Sequence, residues 1–353
     1  MMTVKKILSL VASTIKLFII LLLLFSTNSK AEEKNIKYYS EDKGILSLMY
    51  HRFDENKYPS TNIRMDIFKK QIKIIKDLKY NFYNPKDLEK NFHTPKIQKK
   101  ILITIDDAFS SFYKVAWPYL KKEKIPFILF VSTKSVGKNG YMTWNQIKEL
   151  DLENTAYIGN HSHKHSYLVN LKNEDFIIDI DTSSAIFKKN LGYNPIFFSY
   201  PFGEYSTIIK EYISENFKFS FGQHSGVIDI NKDPHELPRF PINEKYGDLK
   251  RFKFLINLNP LQYKALYPHE KYLTNSNNPP KFLVEFFKEQ KNINNINCFS
   301  NEGDKWEKSI INFNQNILNL NFRNKFNFRR GRINCSLNDD GIWRWFGVQF
   351  SIK

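Results

Sequence analysis

Cysteine is scarce in this sequence: two among 353 residues, Cys298 and Cys335. Their spacing does not match a zinc pattern, which needs four ligands in close pairs. Both lie near the C-terminus, which also excludes a lipid-modified N-terminal cysteine. Long apolar runs are missing as well. The stretch Leu17 to Phe25 stops at nine residues with Lys16 before it, well short of the ~20 that a spanning helix needs. Acidic residues are the rarer sign, 36 against 53 Lys and Arg, for a net charge of +17. The lysines are scattered, form no basic arm, and accompany a drift toward Lys, Asn and Ile in runs such as Lys291 to Asn297. With no nucleic-acid motif beside it, this charge names no nucleic-acid partner. No internal repeat is visible.

Apolar and aromatic material is plentiful. Hydrophobic residues make up 42% and aromatic residues 16% of the chain, enough for a sizeable core. The length suggests about two domains. Residues 1–31 read as an export signal, with Lys5 and Lys6, then the apolar run, then Ser29-Lys30-Ala31 as a small-x-small cleavage site. The mature chain is thus expected to be exported, periplasmic or extracellular, with no stable membrane insertion after cleavage. In an oxidising compartment, Cys298 and Cys335 are expected to pair as a disulfide. Such a loop closure is worth roughly 4 kcal/mol by chain entropy.

From Gly44 to about Lys250, short apolar runs alternate with amphipathic stretches. Ile45 to Tyr50, Lys100 to Ile105, Phe127 to Val131 and Ile196 to Tyr200 read as strands. Phe68 to Leu78, Tyr113 to Lys122, a helix starting at Trp144, Phe176 to Leu191 and Ile208 to Asn216 read as helices. This order predicts an α/β fold with a parallel sheet or barrel over residues 32–255. Residues 256–282, rich in Asn, Pro and Tyr, read as a linker. Residues 283–353 alternate apolar and polar positions and predict a small β-rich module with a turn at Asn338 to Gly341. In that module, Trp343, Trp345 and Phe346 read as core positions or as a platform for sugar stacking.

Three clusters bear chemistry. The strand Lys100 to Ile105 runs directly into Asp106-Asp107, and strand C-termini are where βα architectures present catalytic groups. Adjacent carboxylates repel unless a cation neutralises one; the structural alternative is a helix cap. The second cluster is His161-Ser162-His163-Lys164-His165. A spacing of four places His161 and His165 one helical turn apart, so that both could face one divalent cation such as zinc. His163 would then face elsewhere. The third is Ser199-Tyr200-Pro201-Phe202-Gly203, whose tight loop could aim a backbone N–H at a developing oxyanion.

Taken in order, Asp106-Asp107, His161-Ser162-x-x-His165 and Tyr200-Pro201-Phe202-Gly203 resemble the polysaccharide deacetylase family, the NodB-homology domains of carbohydrate esterase family 4. The likeness spans about Gly44 to Lys250. It implies a distorted (β/α) barrel, a divalent metal, most simply zinc, and a polysaccharide substrate that loses acetyl groups. It assigns Asp106 as catalytic base, Asp107, His161 and His165 as metal ligands, and the Phe202 N–H, in the Pro201-Phe202-Gly203 wall, as a partner of the acyl oxygen. The usual Gly after the Asp pair is Ala108. The Arg usually two residues before the Pro is Ser199, and Arg239 is the candidate replacement. The family's late Leu-x-His motif is missing; instead Leu48-Met49-Tyr50-His51 is similar to a permuted branch that includes poly-N-acetylglucosamine deacetylases, which makes His51 the expected acid. The rival reading is a non-catalytic carbohydrate-binding protein on the same scaffold.

Overall fold

Strands β1 (Ile45–Tyr50), β2 (Lys100–Ile105), β3 (Phe127–Val131), β4 (Ala156–Asn160), β5 (Phe197–Ser199) and β6 (Phe219–Phe221) lie side by side in sequence order, all parallel. They are seen in a computed structural model that describes residues 43–93, 100–303 and 305–353. The export-signal reading of residues 1–31 lies outside those residues. Parallel strands covered on both faces require continuous apolar runs, and all six residues of β1 and all five of β3 are buried. The sheet curls because one segment joins its two ends. Leu237 bridges Phe221 of β6, and three residues later β7 (Phe240–Pro241) pairs with β1 at Leu48. Arg239 sits between those two attachments and is fully buried.

Helices α1 (Met65–Asp77), α2 (Leu88–His93), α3 (Trp117–Lys122), α4 (Trp144–Asp151), α5 (Asn173–Leu191), α6 (Thr207–Asn216) and α7 (Leu249–Leu255) connect or flank the strands. In α1 the buried positions Phe68, Ile72 and Ile75 follow helical spacing. A capping box between Thr143 and Gln146 starts α4. The expected helix Tyr113 to Lys122 divides into a π-helical turn over Phe112–Ala116 and α3. Pro118 near the start of α3 has no N–H to donate. Strands β4, β6 and β7 were not legible as strands. They are two to five residues long, and their pairing is imposed by neighbours. No helix among the described residues is long and apolar enough to cross a membrane.

The C-terminal part is β-rich, as its alternation predicts. Strands β8 (Asn297–Ser300), β9 (Arg330–Asp339) and β10 (Ile342–Ile352) pair antiparallel, joined at the β9–β10 turn by Asp340 and Gly341, both at positive φ. Two positive-φ residues give the tight turn whose twist suits a hairpin. Cys298 and Cys335 are directly opposite in the β8–β9 register and form a disulfide. A second sheet orders Ala265–Tyr267, Phe282–Glu285, Ile317–Asn321 and Ile310–Asn314. The stretch 256–282 differs from the expected linker. Asn259–Pro260 and Tyr272–Leu273 pair with β10, and Ala265–Tyr267 pairs with Phe282–Glu285. Strands of two or three residues carry no periodicity of their own, which is why this stretch reads as loop.

Candidate active site

Asp106 and Asp107 leave the end of β2 in different directions. Asp107 and Ala108 both have left-handed backbones, φ 73° and 53°. Asp106 is fully buried and meets Arg239, whose Nη1 and Nη2 donate to Oδ1 and Oδ2 at 2.6 and 2.9 Å. The same guanidinium donates to Ser199 Oγ at 2.8 Å, Thr104 Oγ1 at 3.2 Å and, through Nε, Gly222 O at 2.9 Å. The expected replacement of the missing Arg is thus in contact with Asp106. Ser199, which occupies the usual arginine position, is one of its acceptors. Burial pushes the Asp106 carboxyl up, but the charges of Arg239, His161 and His51 outweigh it and bring it down to about 2.

Asp107 faces the two histidines. Its Oδ1 lies 3.6 Å from His161 Nε2 and 3.3 Å from His165 Nε2, and the two Nε2 atoms are 3.2 Å apart. Metal bonds of ~2.1 Å in tetrahedral array put ligand atoms about 3.4 Å apart, so this triangle has the dimensions of one face of a zinc-type site. His161 Nδ1 is 2.6 Å from the Ser199 carbonyl. A carbonyl only accepts, so Nδ1 carries the hydrogen and Nε2 offers its lone pair to the triangle. Burial, helped by the neighbouring His165, brings the His161 pKa down to about 4, which keeps the ring neutral and able to ligate. The donors present therefore fit a divalent cation. The local geometry is not the helical turn that the four-residue spacing suggested. His161 to His165 form a loop after β4 in which Ser162 and His165 take positive φ. His163 turns away and meets Thr133 Oγ1 at 2.8 Å, while Asp179 accepts from its backbone N–H.

Of the eleven non-glycine residues at positive φ among those described, five are here: Asp107, Ala108, Ser162, His165 and Phe202. Each costs on the order of 1 kcal/mol, and such strain concentrates at functional sites.

His51 follows β1, with Nε2 4.0 Å from Asp106 Oδ2. It lines an open cleft of about 720 Å³ together with Asp107, His165 and Phe202. The Phe202 ring packs edge-on to His165, with centroids 4.6 Å apart, and stacks on Tyr167 at 4.0 Å. The loop is held from behind by the C-terminal part. Gln349 Nε2 donates to the carbonyls of Phe202 and Gly203 at 3.0 and 3.2 Å, and Arg329 forks onto buried Glu204 at 3.1 and 2.7 Å. The sequence offered no local sign of Gln349 or Tyr167, because neither belongs to a motif and both act through tertiary contact; Arg329 stands in the basic run Arg329-Arg330-Gly331-Arg332, which reads equally as a solvated turn or as a contact for an anionic glycan. Pro201 and Gly203 are buried and shape the loop. Of the three aromatics weighed as core or platform, Phe346 is buried, Trp343 is exposed, and Trp345 lines the cleft.

The family model described as polysaccharide deacetylase matches residues 93–217. Over that stretch the chain is similar to polysaccharide deacetylases. A poly-beta-1,6-N-acetyl-D-glucosamine N-deacetylase of Staphylococcus aureus is 24% identical over 243 residues, covering 60% of this chain and 82% of that protein. A Bacillus subtilis protein named for the family, YxkH, is 27% identical over 161 residues; the match takes in 45% of this chain and 57% of that one. Among solved structures, IcaB from Ammonifex degensii superposes with a TM-score of 0.54 at 25% identity, covering 61% of this chain and 97% of that one. The Streptococcus pyogenes deacetylase PplD, in complex with acetate, shares the fold with a TM-score of 0.53 at 24% identity, over 57% of this chain and 94% of that one.

Proposed function

We propose that this chain is an exported, divalent-metal-dependent deacetylase that hydrolyses acetamide groups on an N-acetylglucosamine-type polysaccharide. The observation that carries this reading is the Asp107–His161–His165 triangle at the mouth of a cleft, with the Arg239-bound Asp106 beside it. The named activity of the S. aureus relative supports the substrate class.

Asp107, His161 and His165 would hold the cation, and zinc suits two imidazoles and a carboxylate. When bound, it supplies positive charge that polarises the acetyl oxygen and acidifies a neighbouring water. Asp106 stays ionised across the working pH range and accepts the proton of the attacking water at a carboxylate oxygen. Arg239 fixes that carboxylate through both oxygens, so the base has one orientation. The strained Pro201-Phe202-Gly203 loop presents backbone N–H to the developing oxyanion. His51, across from Asp106, hands a proton to the departing nitrogen. Without that transfer the tetrahedral species collapses back to amide.

The binding-only alternative drew on the missing arginine before Pro201, and Arg239 fills that role. The test is acetate release by the exported chain from N-acetylglucosamine oligomers of several linkages. Release that stops with a chelator and returns with zinc is expected. Release indifferent to chelation contradicts the metal reading, and a chain that binds oligomers with metal present yet frees no acetate contradicts the enzyme.

A further inference from the structure

The C-terminal module does more than brace a loop. Trp306, Arg330, Arg332, Asn334 and Trp345 belong to it and line the same cleft as His51 and Asp107, together with Arg251 of α7. Among the described residues lining this cleft, three guanidiniums face a single carboxylate, that of Asp107, and Asp107 is committed to the metal triangle.

The guanidiniums are poorly compensated. Glu204 is already occupied by the fork of Arg329, and Arg330 Nε approaches it only to 3.7 Å. Arg332 spends its Nε on the neutral amide oxygen of Gln349 at 3.1 Å, and Arg251 donates to the carbonyl of Tyr246. Neither has a carboxylate within 4.0 Å among the described residues. Burial lowers the pKa of both, and for Arg332 the neighbouring Arg330 charge lowers it further. Guanidiniums remain charged even so. Their spare N–H forks suit a carboxylate or a phosphate, which they hold with two parallel hydrogen bonds. Trp306 and Trp345 add apolar faces against which a sugar ring can pack.

We propose that the module completes the substrate cleft with an anion subsite, so that the preferred glycan bears carboxylate or phosphate groups near the acetamide that is cleaved. This rests on the deacetylase reading above and narrows its substrate class. Deacetylation turns a neutral acetamide into a cationic amine. An arginine-lined cleft repels a polymer that accumulates amines alone. An acidic substituent on the same or the next sugar offsets that repulsion and gives the arginines a partner. The subsite therefore separates acidic glycans from a plain poly-N-acetylglucosamine.

The test is calorimetric binding to the intact chain in chelator, where no turnover occurs. Three N-acetylglucosamine oligomers of equal length serve as probes: one neutral, one bearing carboxylate ethers, one bearing phosphate esters. An acidic oligomer is expected to bind about tenfold more tightly than the neutral one, the gain of one or two charge-assisted hydrogen bonds. The preference should shrink as salt rises from about 0.05 to about 0.5 M. Arg332→Gln should remove most of it and weaken binding of the neutral oligomer far less. Arg251→Gln, which leaves the Gln349 contact intact, should remove part of it. The acidic oligomer that gains more identifies the anion. Equal affinity for all three probes, or variants that weaken neutral and acidic binding alike, would overturn the subsite. Because binding is read without turnover, absence of acetate release would count against the deacetylase reading alone.

Discussion

The barrel and the C-terminal module present chemistry in opposite ways. In the barrel, functional side chains follow parallel strands as short consecutive runs: His51 after β1, Asp106-Asp107 after β2, His161 after β4 and the Pro201 loop after β5. The parallel frame aims every strand end at one place, so a few residues in a row are enough to mark the site. In the module, the residues that reach the cleft are dispersed: Trp306 in a loop, Arg330 and Arg332 on β9, Trp345 on β10. They meet only because the module docks. At Gly347, any β-carbon would come within 2.3 Å of the Ser225 carbonyl of the barrel, which is how closely β10 is pressed there. One region writes its part of the candidate site locally; the other writes its share of the cleft lining in packing.

The sharpest way to break this comparison is Arg239→Gln. Arg239 is a barrel residue that belongs to no motif, yet it satisfies both oxygens of buried Asp106. Removing one partner of a buried pair costs about 3–5 kcal/mol, and chemical denaturation should show a loss of that size together with lost acetate release. A variant as stable and active as wild type would mean that the base is oriented by something else.

The seam between the two regions should report itself through pH. His224 lines a cavity there with Phe346, Gly347 and Gln349 of β10. Burial, together with the Lys271 charge and against the pull of Glu236, brings its pKa down from 6.5 to about 4. The unfolded chain takes up this proton near pH 6.5 and the folded chain only near 4. The residue has no effect on stability above pH 6.5 and costs progressively more as pH falls through that window. The loss reaches roughly 2 kcal/mol once the ring's partial exposure is allowed for. Denaturation midpoints at pH 7 and pH 4.5, compared with those of His224→Gln, should differ by this component. Equal pH dependence in both proteins removes the seam from the account.

A smaller effect is expected from Gln349→Leu. Its amide holds the Phe202 and Gly203 carbonyls from the module side, so kcat should fall about tenfold with little change in KM, as a displaced oxyanion donor requires. A rise in KM at constant kcat would make Gln349 a substrate contact rather than a brace for the loop.

The α/β class, three barrel strands with their full bounds, and the pairing partner of each cysteine were legible in the sequence. Ile45–Tyr50, Lys100–Ile105 and Phe127–Val131 are long, apolar and bounded by polar turns, the clearest signal a buried strand gives. Each residue expected at the site lies around it: His51, Asp106, Asp107, His161, His165, the Pro201-Phe202-Gly203 loop and Arg239. The helical geometry assumed for His161 and His165 was not found, because the left-handed Ser162 and His165 that bring the rings together leave no periodic trace. The strands within 256–282 were hidden for a related reason. They are too short to alternate and gain their pairing from β10.

The most direct test of the central claim compares metal content and acetate release in Asp106→Asn and His161→Ala. The two carboxylates after β2 are assigned different duties, base and ligand, and His161 stands with the ligand. Asp106→Asn is expected to keep one bound divalent ion while acetate release falls by about 10²–10⁴, the usual range for losing a general base. His161→Ala should lose both the ion and the activity. An Asp106→Asn protein that still turns over, or a His161→Ala protein that retains the ion at full occupancy, would contradict the division of labour on which the account rests.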